Sequence, residues 1–227
     1  MRVTGLFSGG KDSTYAARLI QKEGVDLSYL LAVNPVNPES YMFHTVNIQI
    51  TPLQAKSWGI PFLDVKSLGR KEEEIIDLKK ALSKMDIDGV VTGAIASNYQ
   101  KSRVDKICRE LGLQHLSPLW GRKRVPLMRE MLSQGMKIII SAVAAFGLDD
   151  SWLGKEIDES ILRRLVKLNM EYGVDISGEG GEYESLVLDA PWFGDKIEIL
   201  EAEKSWDGSS GLFVVKKARL VSKIHKD

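Results

Sequence analysis

Short runs that are apolar throughout, each followed by a turn and a stretch with helical periodicity, recur along the first two thirds of this 227-residue chain. The first run, Val3 to Phe7, meets Ser8-Gly9-Gly10 and then Ser13 to Glu23, where Tyr15, Ala16, Leu19 and Ile20 fall on one side. Strand, tight turn and helix account for that order. The same unit predicts strands over 27–33, 61–65, 89–95, 115–119 and 137–146. Between them it predicts helices over 51–58, 70–85, 99–111 and 125–134, with Thr51 and Ser97 as caps and Gly112 as a stop. A strand without polar alternation is buried on both faces, and intervening helices supply the cover. The expected fold is therefore α/β, a doubly wound, mostly parallel sheet.

After about Leu148 the pattern changes. Residues 158–172 read as an amphipathic helix through Ile161, Leu162, Leu165 and Leu168. A glycine-rich segment, Gly178-Glu179-Gly180-Gly181-Glu182-Tyr183-Glu184-Ser185, then leads into strand-like runs at 186–188, 196–200 and 211–221. Asp207 to Gly211 reads as a plain turn. The expected organisation is a first unit over 1–148 and a smaller C-terminal α+β subdomain over 149–227.

Charge and cysteine content narrow the function. The chain carries 31 Lys and Arg against 31 Asp and Glu, so no whole-molecule field attracts a polyanion, and strong nucleic-acid binding is not expected. Its one cysteine, Cys108, forms no internal disulfide or thiolate metal cluster and reads as a packing residue. No stretch reaches the roughly 20 apolar residues of a membrane span, and the start lacks a signal-peptide pattern. The expectation is a cytoplasmic protein that does not contact membranes.

Ligands of an open parallel sheet bind beyond the carboxyl ends of its strands, and the first such turn is Ser8 to Ser13. Its glycines let the main chain approach a ligand, the helix start adds positive potential and Lys11 adds a full charge, which together describe a phosphate site. The dinucleotide fingerprint G-x-G-x-x-G is missing here. Gly5 to Lys11 has Walker A spacing, but Asp12 stands where the magnesium-binding hydroxyl belongs, and Gly5 lies inside the apolar run.

Ser8-Gly9-Gly10-Lys11-Asp12-Ser13 matches the whole S-G-G-x-D-S signature and resembles the PP-loop ATP pyrophosphatases, which share the adenine nucleotide α-hydrolase-like fold. The resemblance implies that Ser8, Gly9, Gly10, Lys11 and Ser13 contact the β,γ-pyrophosphate of ATP. It also implies that Asp12 orients phosphate or Mg2+, and that attack falls on the α-phosphate.

Members of this superfamily thiolate, amidate or ligate their substrates. Sulfur-transfer members generally use paired cysteines, and glutamine-dependent members carry a second catalytic domain. Neither finds room in this chain, and free ammonia survives as nitrogen donor. A second resemblance then spans Val3 to Pro191. It rests on Ser40 to Asn47, Gly93 to Val104, Pro118-Leu119-Trp120 and Gly178 to Ser185, which are similar to the diphthine–ammonia ligase family in its short form. That likeness implies an ATP-dependent amide ligase. Its substrate would be diphthine, a modified histidine of translation elongation factor 2, with ammonium as co-substrate and AMP and pyrophosphate as products.

Several roles stay open. Gly93, Lys101 and Arg103 are implied nucleotide contacts, although Lys101 and Arg103 also fit a solvated helix face. His44 is either the base that deprotonates ammonium or a packed residue beside Phe43. Glu182 is the catalytic candidate of the glycine-rich segment, which otherwise is a turn into a strand. Tyr183, Trp120 and Trp192 are candidate partners for the trimethylammonium group of diphthine. Gly121-Arg122-Lys123-Arg124 is a solvated loop or a docking patch, and adenine is expected near Phe7 and Ala32-Val33. Two rival readings remain: another PP-loop pyrophosphatase acting on RNA or a small carboxylate, and a non-catalytic adenine-nucleotide sensor.

Overall fold

The computed structural model describes residues 1–35, 46–67 and 73–223. Five parallel strands form the first sheet: β1 (Arg2–Leu6), β2 (Asp26–Pro35), β3 (Phe62–Ser67), β4 (Gly89–Val91) and β5 (Gln114–Leu116), in the order β3-β2-β1-β4-β5. Helices α1 (Lys11–Lys22), α2 (Thr51–Trp58), α3 (Glu73–Leu82) and α4 (Asn98–Leu111) make the crossovers. Two separate apolar clusters line opposite faces of this sheet. Val3, Leu30 and Val91 enter the cluster with α1 and α2, whereas Leu31, Val33 and Val90 enter the one with α3 and α4. That split is why the strands lack polar alternation. The α/β, doubly wound expectation therefore holds for residues up to β5.

It does not hold for the next strand. β6 (Lys137–Val143), expected as a further parallel strand, belongs to a second, antiparallel sheet with β7 (Tyr183–Asp189), β8 (Asp195–Trp206) and β9 (Gly211–Ser222), in the order β7-β6-β9-β8. The misreading has a physical cause. Ile138 and Ile140 join the large cluster on one face, whereas Ile139 joins another cluster on the opposite face. A continuous apolar run reports burial on both faces, not strand direction. The two sheets thus part between β5 and β6, where α5 (Arg124–Ser133) begins the second.

One core runs through both sheets. Tyr15 and Ala16 of α1, Leu127 and Met131 of α5, Ile138 and Ile140 of β6, and Leu162 and Leu165 of α6 (Glu159–Tyr172) share a single cluster. Helix caps follow the sequence. Ser97 Oγ accepts from Gln100 N at the start of α4, Asp158 Oδ1 accepts from Ile161 N at the start of α6, and Gly112 and Gly173 close those helices at positive φ. No described helix is long and apolar enough to cross a membrane.

Candidate active site

β1 lies between β2 and β4, so the chain leaves β1 toward one side of the sheet and returns from β3, through α3, to the other side at β4. The crevice beyond the carboxyl ends of β1 and β4 is where such a sheet receives ligands. A cavity of about 380 Å³ opens there. Two loops flank it, 7–10 after β1 and 92–97 after β4. They touch at Gly93, where a Cβ would stand 2.6 Å from Asp12 C and Ser13 N. The first turn of α1 seats directly on that glycine.

The β1–α1 turn is held from several directions. Gly9 adopts φ 76°, and its carbonyl accepts from Val187 N (3.0 Å) and from Gln54 Nε2 (2.8 Å). Ser13 Oγ accepts from Ser8 N and lies 3.2 Å from Ser8 Oγ. Lys11 N donates to Ser185 Oγ at 3.2 Å. Ser8, Gly10, Lys11, Asp12, Ser13 and Ser185 all line the cavity. The six-residue signature and the start of β7 therefore build one hydroxyl- and amide-rich wall.

Lys11 sits lower than the sequence suggests. Its side chain is 3% exposed, with Nζ donating to Asp12 Oδ2 (2.8 Å) and to the Ser177 carbonyl, and standing 5.2 Å from the Tyr183 ring. Burial opposes its charge, but Asp12, Tyr183 and Asp175 outweigh that, and its pKa stands above the ordinary lysine value. Lys11 is thus a fixed cation in the cavity floor. Tyr183 lies beneath it. Its hydroxyl donates to the Ile176 carbonyl, and burial pushes its pKa up to about 12. The Tyr183 ring is buried in the cavity wall with the Lys11 ammonium already over it.

The third wall is the segment between α6 and β7. Glu179 Oε1 accepts from three consecutive main-chain amides, Ile95 N (2.6 Å), Ala96 N (2.8 Å) and Ser97 N (3.0 Å), and Arg124 Nη2 reaches its Oε2 at 3.4 Å. Glu179 and Glu184 line the cavity, whereas Glu182 does not. Glu182 Oε1 folds back over Gly180 and accepts from Asp175 N. Spacing alone does not distinguish three glutamates in one glycine-rich run. Their partners separate them: Glu179 reaches across to the 95–97 amides, Glu182 folds back on Asp175 N, and Glu184 belongs to β7, while 178–182 follow the curvature allowed by Gly178 and Gly181 at positive φ.

Lys101 and Arg103 do not reach the cavity wall. Lys101 Nζ pairs with Asp105 and lies 5.5 Å from the Trp120 ring, and the Arg103 guanidinium lies 3.5 Å from the ring of Tyr99. Lys101 falls beyond the side of α4 that carries Tyr99, Gln100 and Val104 into the cavity, whereas Arg103 falls on that side and turns its guanidinium onto the Tyr99 ring. Asp105 continues inward. Its Oδ1 lies 2.6 Å from His115 Nδ1, and His115 Nε2 lies 2.8 Å from the hydroxyl of Thr92 in the cavity wall. Burial lowers the His115 pKa in spite of Asp105. Trp192 is covered by Arg18 and packs on Trp58, so neither it nor Trp120 stands as an open aromatic face. Arg122 pairs with Glu130, and Arg124 with Asp175 and Glu179, so the basic cluster after Trp120 is largely spent inside the fold. His44 lies outside the described residues.

The other half of the cavity is apolar, with Leu6, Leu31, Val33, Ile48 and Val104 in its wall. Phe7 N is committed to the Leu31 carbonyl, which removes that main-chain donor from the expected adenine region. No group of three or more potential metal ligands occurs among the described residues. Mg2+ requires less, since it binds through one or two carboxylates together with phosphates and water. Asp12, Glu184, Ser8 and Ser13 are hard-oxygen side chains in the cavity wall, of the type that would hold it.

Two family models match the chain, the diphthamide synthase N-terminal domain over residues 1–115 and the diphthamide synthase C-terminal domain over 123–221. Their junction coincides with the parting of the two sheets. Among curated proteins, the diphthine–ammonia ligase of Mus musculus is 37% identical over 99% of this chain and 92% of its own length. That of Danio rerio is 37% identical over 100% and 97%. That of Homo sapiens is 36% identical over 89% and 84%.

Proposed function

We propose, from the premise that this chain belongs to the diphthamide synthase family, that it converts diphthine on translation elongation factor 2 to the amide, using ATP and ammonium. It is a ligase of diphthamide biosynthesis. A carboxylate is a poor acyl donor because oxide is a poor leaving group. In the proposed sequence a carboxylate oxygen bonds to the α-phosphorus of ATP and pyrophosphate leaves. Ammonia, after ammonium gives up a proton, then attacks the acyl carbon and AMP leaves with the carboxyl oxygen.

The observation that carries this reading is the Ser8–Ser13 turn at the β1/β4 crevice, whose amides and hydroxyls share a cavity with an apolar slot. In this reading the slot takes adenine, and Ser8, Gly9, Gly10, Ser13 and Ser185 hold the β- and γ-phosphates at the start of α1. Lys11 acts from below as fixed positive charge, which a low-dielectric site makes effective without direct contact. Asp12 would hold Mg2+, which supplies neutralising charge on the phosphates. Gly93 lets the loop after β4 close against the first turn of α1. The parallel sheet with its loops after β1 and β4 supplies the nucleotide-binding part in this reading, and the C-terminal part adds the 177–185 wall of the substrate site.

The test is product formation from ATP with ammonium and diphthine-modified elongation factor 2. AMP and pyrophosphate in equal amounts, dependent on both co-substrates, support the proposal. Accumulation of ADP, or turnover with RNA alone, overturns it.

A further inference from the structure

Two sets of main-chain amides lie at one cavity, one in its wall and one behind the carboxylate of Glu179, itself a wall residue, and they are not equivalent. The turn at Gly9–Ser13 directs Lys11 N at a hydroxyl, Ser185 Oγ, with a further hydroxyl, Ser8 Oγ, beside Gly10 N. The turn at Ile95–Ser97, ahead of the 14-residue helix α4, sends three successive N–H groups to one carboxylate oxygen of the same chain, Glu179 Oε1. Such a run of amides at a helix start is the geometry that binds phosphate. It lies beside the first turn, because Gly93, two residues before Ile95, is pressed against Asp12 and Ser13. Without an occupant, the second run would compete with the first for a polyphosphate entering the cavity.

We propose that Glu179 is a built-in anion that occupies the second site and so fixes the direction in which the nucleotide lies. This rests on the nucleotide reading given above. Glu179 is held for the task. Its other oxygen is reached by Arg124, which also binds Asp175, and its side chain is 13% exposed. Its carboxylate satisfies the three amides and cancels their positive potential toward the cavity. The start of α1, faced by neutral hydroxyls rather than a carboxylate, remains the place where phosphate gains most. Glu179 is a positioning residue, and it needs no contact with ATP.

The test uses pyrophosphate and the full-length chain, followed through main-chain amide resonances. In the wild-type protein, pyrophosphate shifts the amides of residues 9–13 and leaves 95–97 in place, with about one equivalent bound. In Glu179→Ala the amides of 95–97 are vacant, so both sets shift and about two equivalents bind. A merely structural role for Glu179 would weaken binding without adding a second equivalent. A folded Glu179→Ala chain that still binds one equivalent at 9–13, with 95–97 unmoved, overturns the inference and leaves the nucleotide reading intact. Shifts at 95–97 in the wild-type protein also overturn it, independently of how any variant folds. Failure of the wild-type chain to bind pyrophosphate overturns the nucleotide reading and this inference with it.

Discussion

The two glycine-rich segments of this chain, 8–13 and 178–185, meet at one cavity and use glycine for opposite ends. In the first, glycine brings main-chain donors to the surface of a turn, and the site consists of the backbone itself. In the second, Gly178 and Gly181 at positive φ bend the chain so that side chains are delivered elsewhere: Glu179 to the amides of another loop, Ser185 to the Lys11 amide, and Tyr183 beneath the Lys11 ammonium. Gly178 has a further constraint, since a Cβ there would stand 2.6 Å from the Tyr183 carbonyl. A backbone-built site shows in sequence as a fixed motif. One built by delivered side chains shows only as composition.

The sharpest way to break the comparison is at the glycine that belongs to neither segment and supports the first. Gly93→Ala places a methyl group 2.6 Å from the main chain of α1, so the turn must move. A displacement of about 1 Å at a reacting centre costs roughly 100-fold, and kcat/KM for AMP formation is expected to fall by at least that factor. Retained activity would show that the turn tolerates displacement and does not act through its backbone.

Removing the buried cation comes next. Lys11→Met leaves Asp12 without its 2.8 Å partner, and denaturant unfolding is expected to show a loss of about 3 kcal/mol, the low end for a buried pair because Asp12 is partly exposed. Unchanged stability would mean that Lys11 is held in place by packing alone. Ser185→Ala is smaller. It deletes one neutral hydrogen bond to the first segment, worth about 1 kcal/mol, so the KM for ATP should rise roughly fivefold with kcat unchanged. Glu182→Gln sharpens the contrast within the second segment. Because that carboxylate accepts from Asp175 N and stands outside the cavity wall, turnover should stay within about twofold, the range of a substitution away from the site.

The smallest effect is in acid. Burial holds the His115 pKa below its ordinary value, so the unfolded chain takes up that proton more readily than the folded one. The stability contributed by neutral His115 is whole above about pH 6.5 and declines as pH falls below it. Melting temperature measured from pH 7.5 to 5 should carry this slope in the wild-type protein and lose part of it in His115→Gln. Asp105, whose pKa is also lowered, adds its own loss only in stronger acid, so the two are separable.

The parallel sheet was readable because its burial demands a continuous apolar strand and its crossovers demand helices, and α2 falls on the expected 51–58. β6 was not, because Ile138, Ile139 and Ile140 record cover on both faces and say nothing of direction. The turn at 8–13 is local and therefore visible. Gln54, Thr92, Glu179 and Ser185 come to it or to its cavity from 46 to 177 positions beyond Ser8, and no short-range pattern announces such meetings. Lys101 and Arg103 look like free cations in sequence, whereas in the structure Lys101 pairs with Asp105 and Arg103 stacks on Tyr99.

The Gly9 carbonyl is gripped by Val187 of β7 and by Gln54 of α2, and Gln54 Nε2 also holds the Val187 carbonyl. The 8–13 turn is thus stitched to a strand that the ribosome makes long after it. A separately expressed front half, ending near the β5–α5 connection, would carry the whole signature and lack the braces that shape it. Grafting those six residues onto a foreign scaffold would transfer the letters and leave the grip behind.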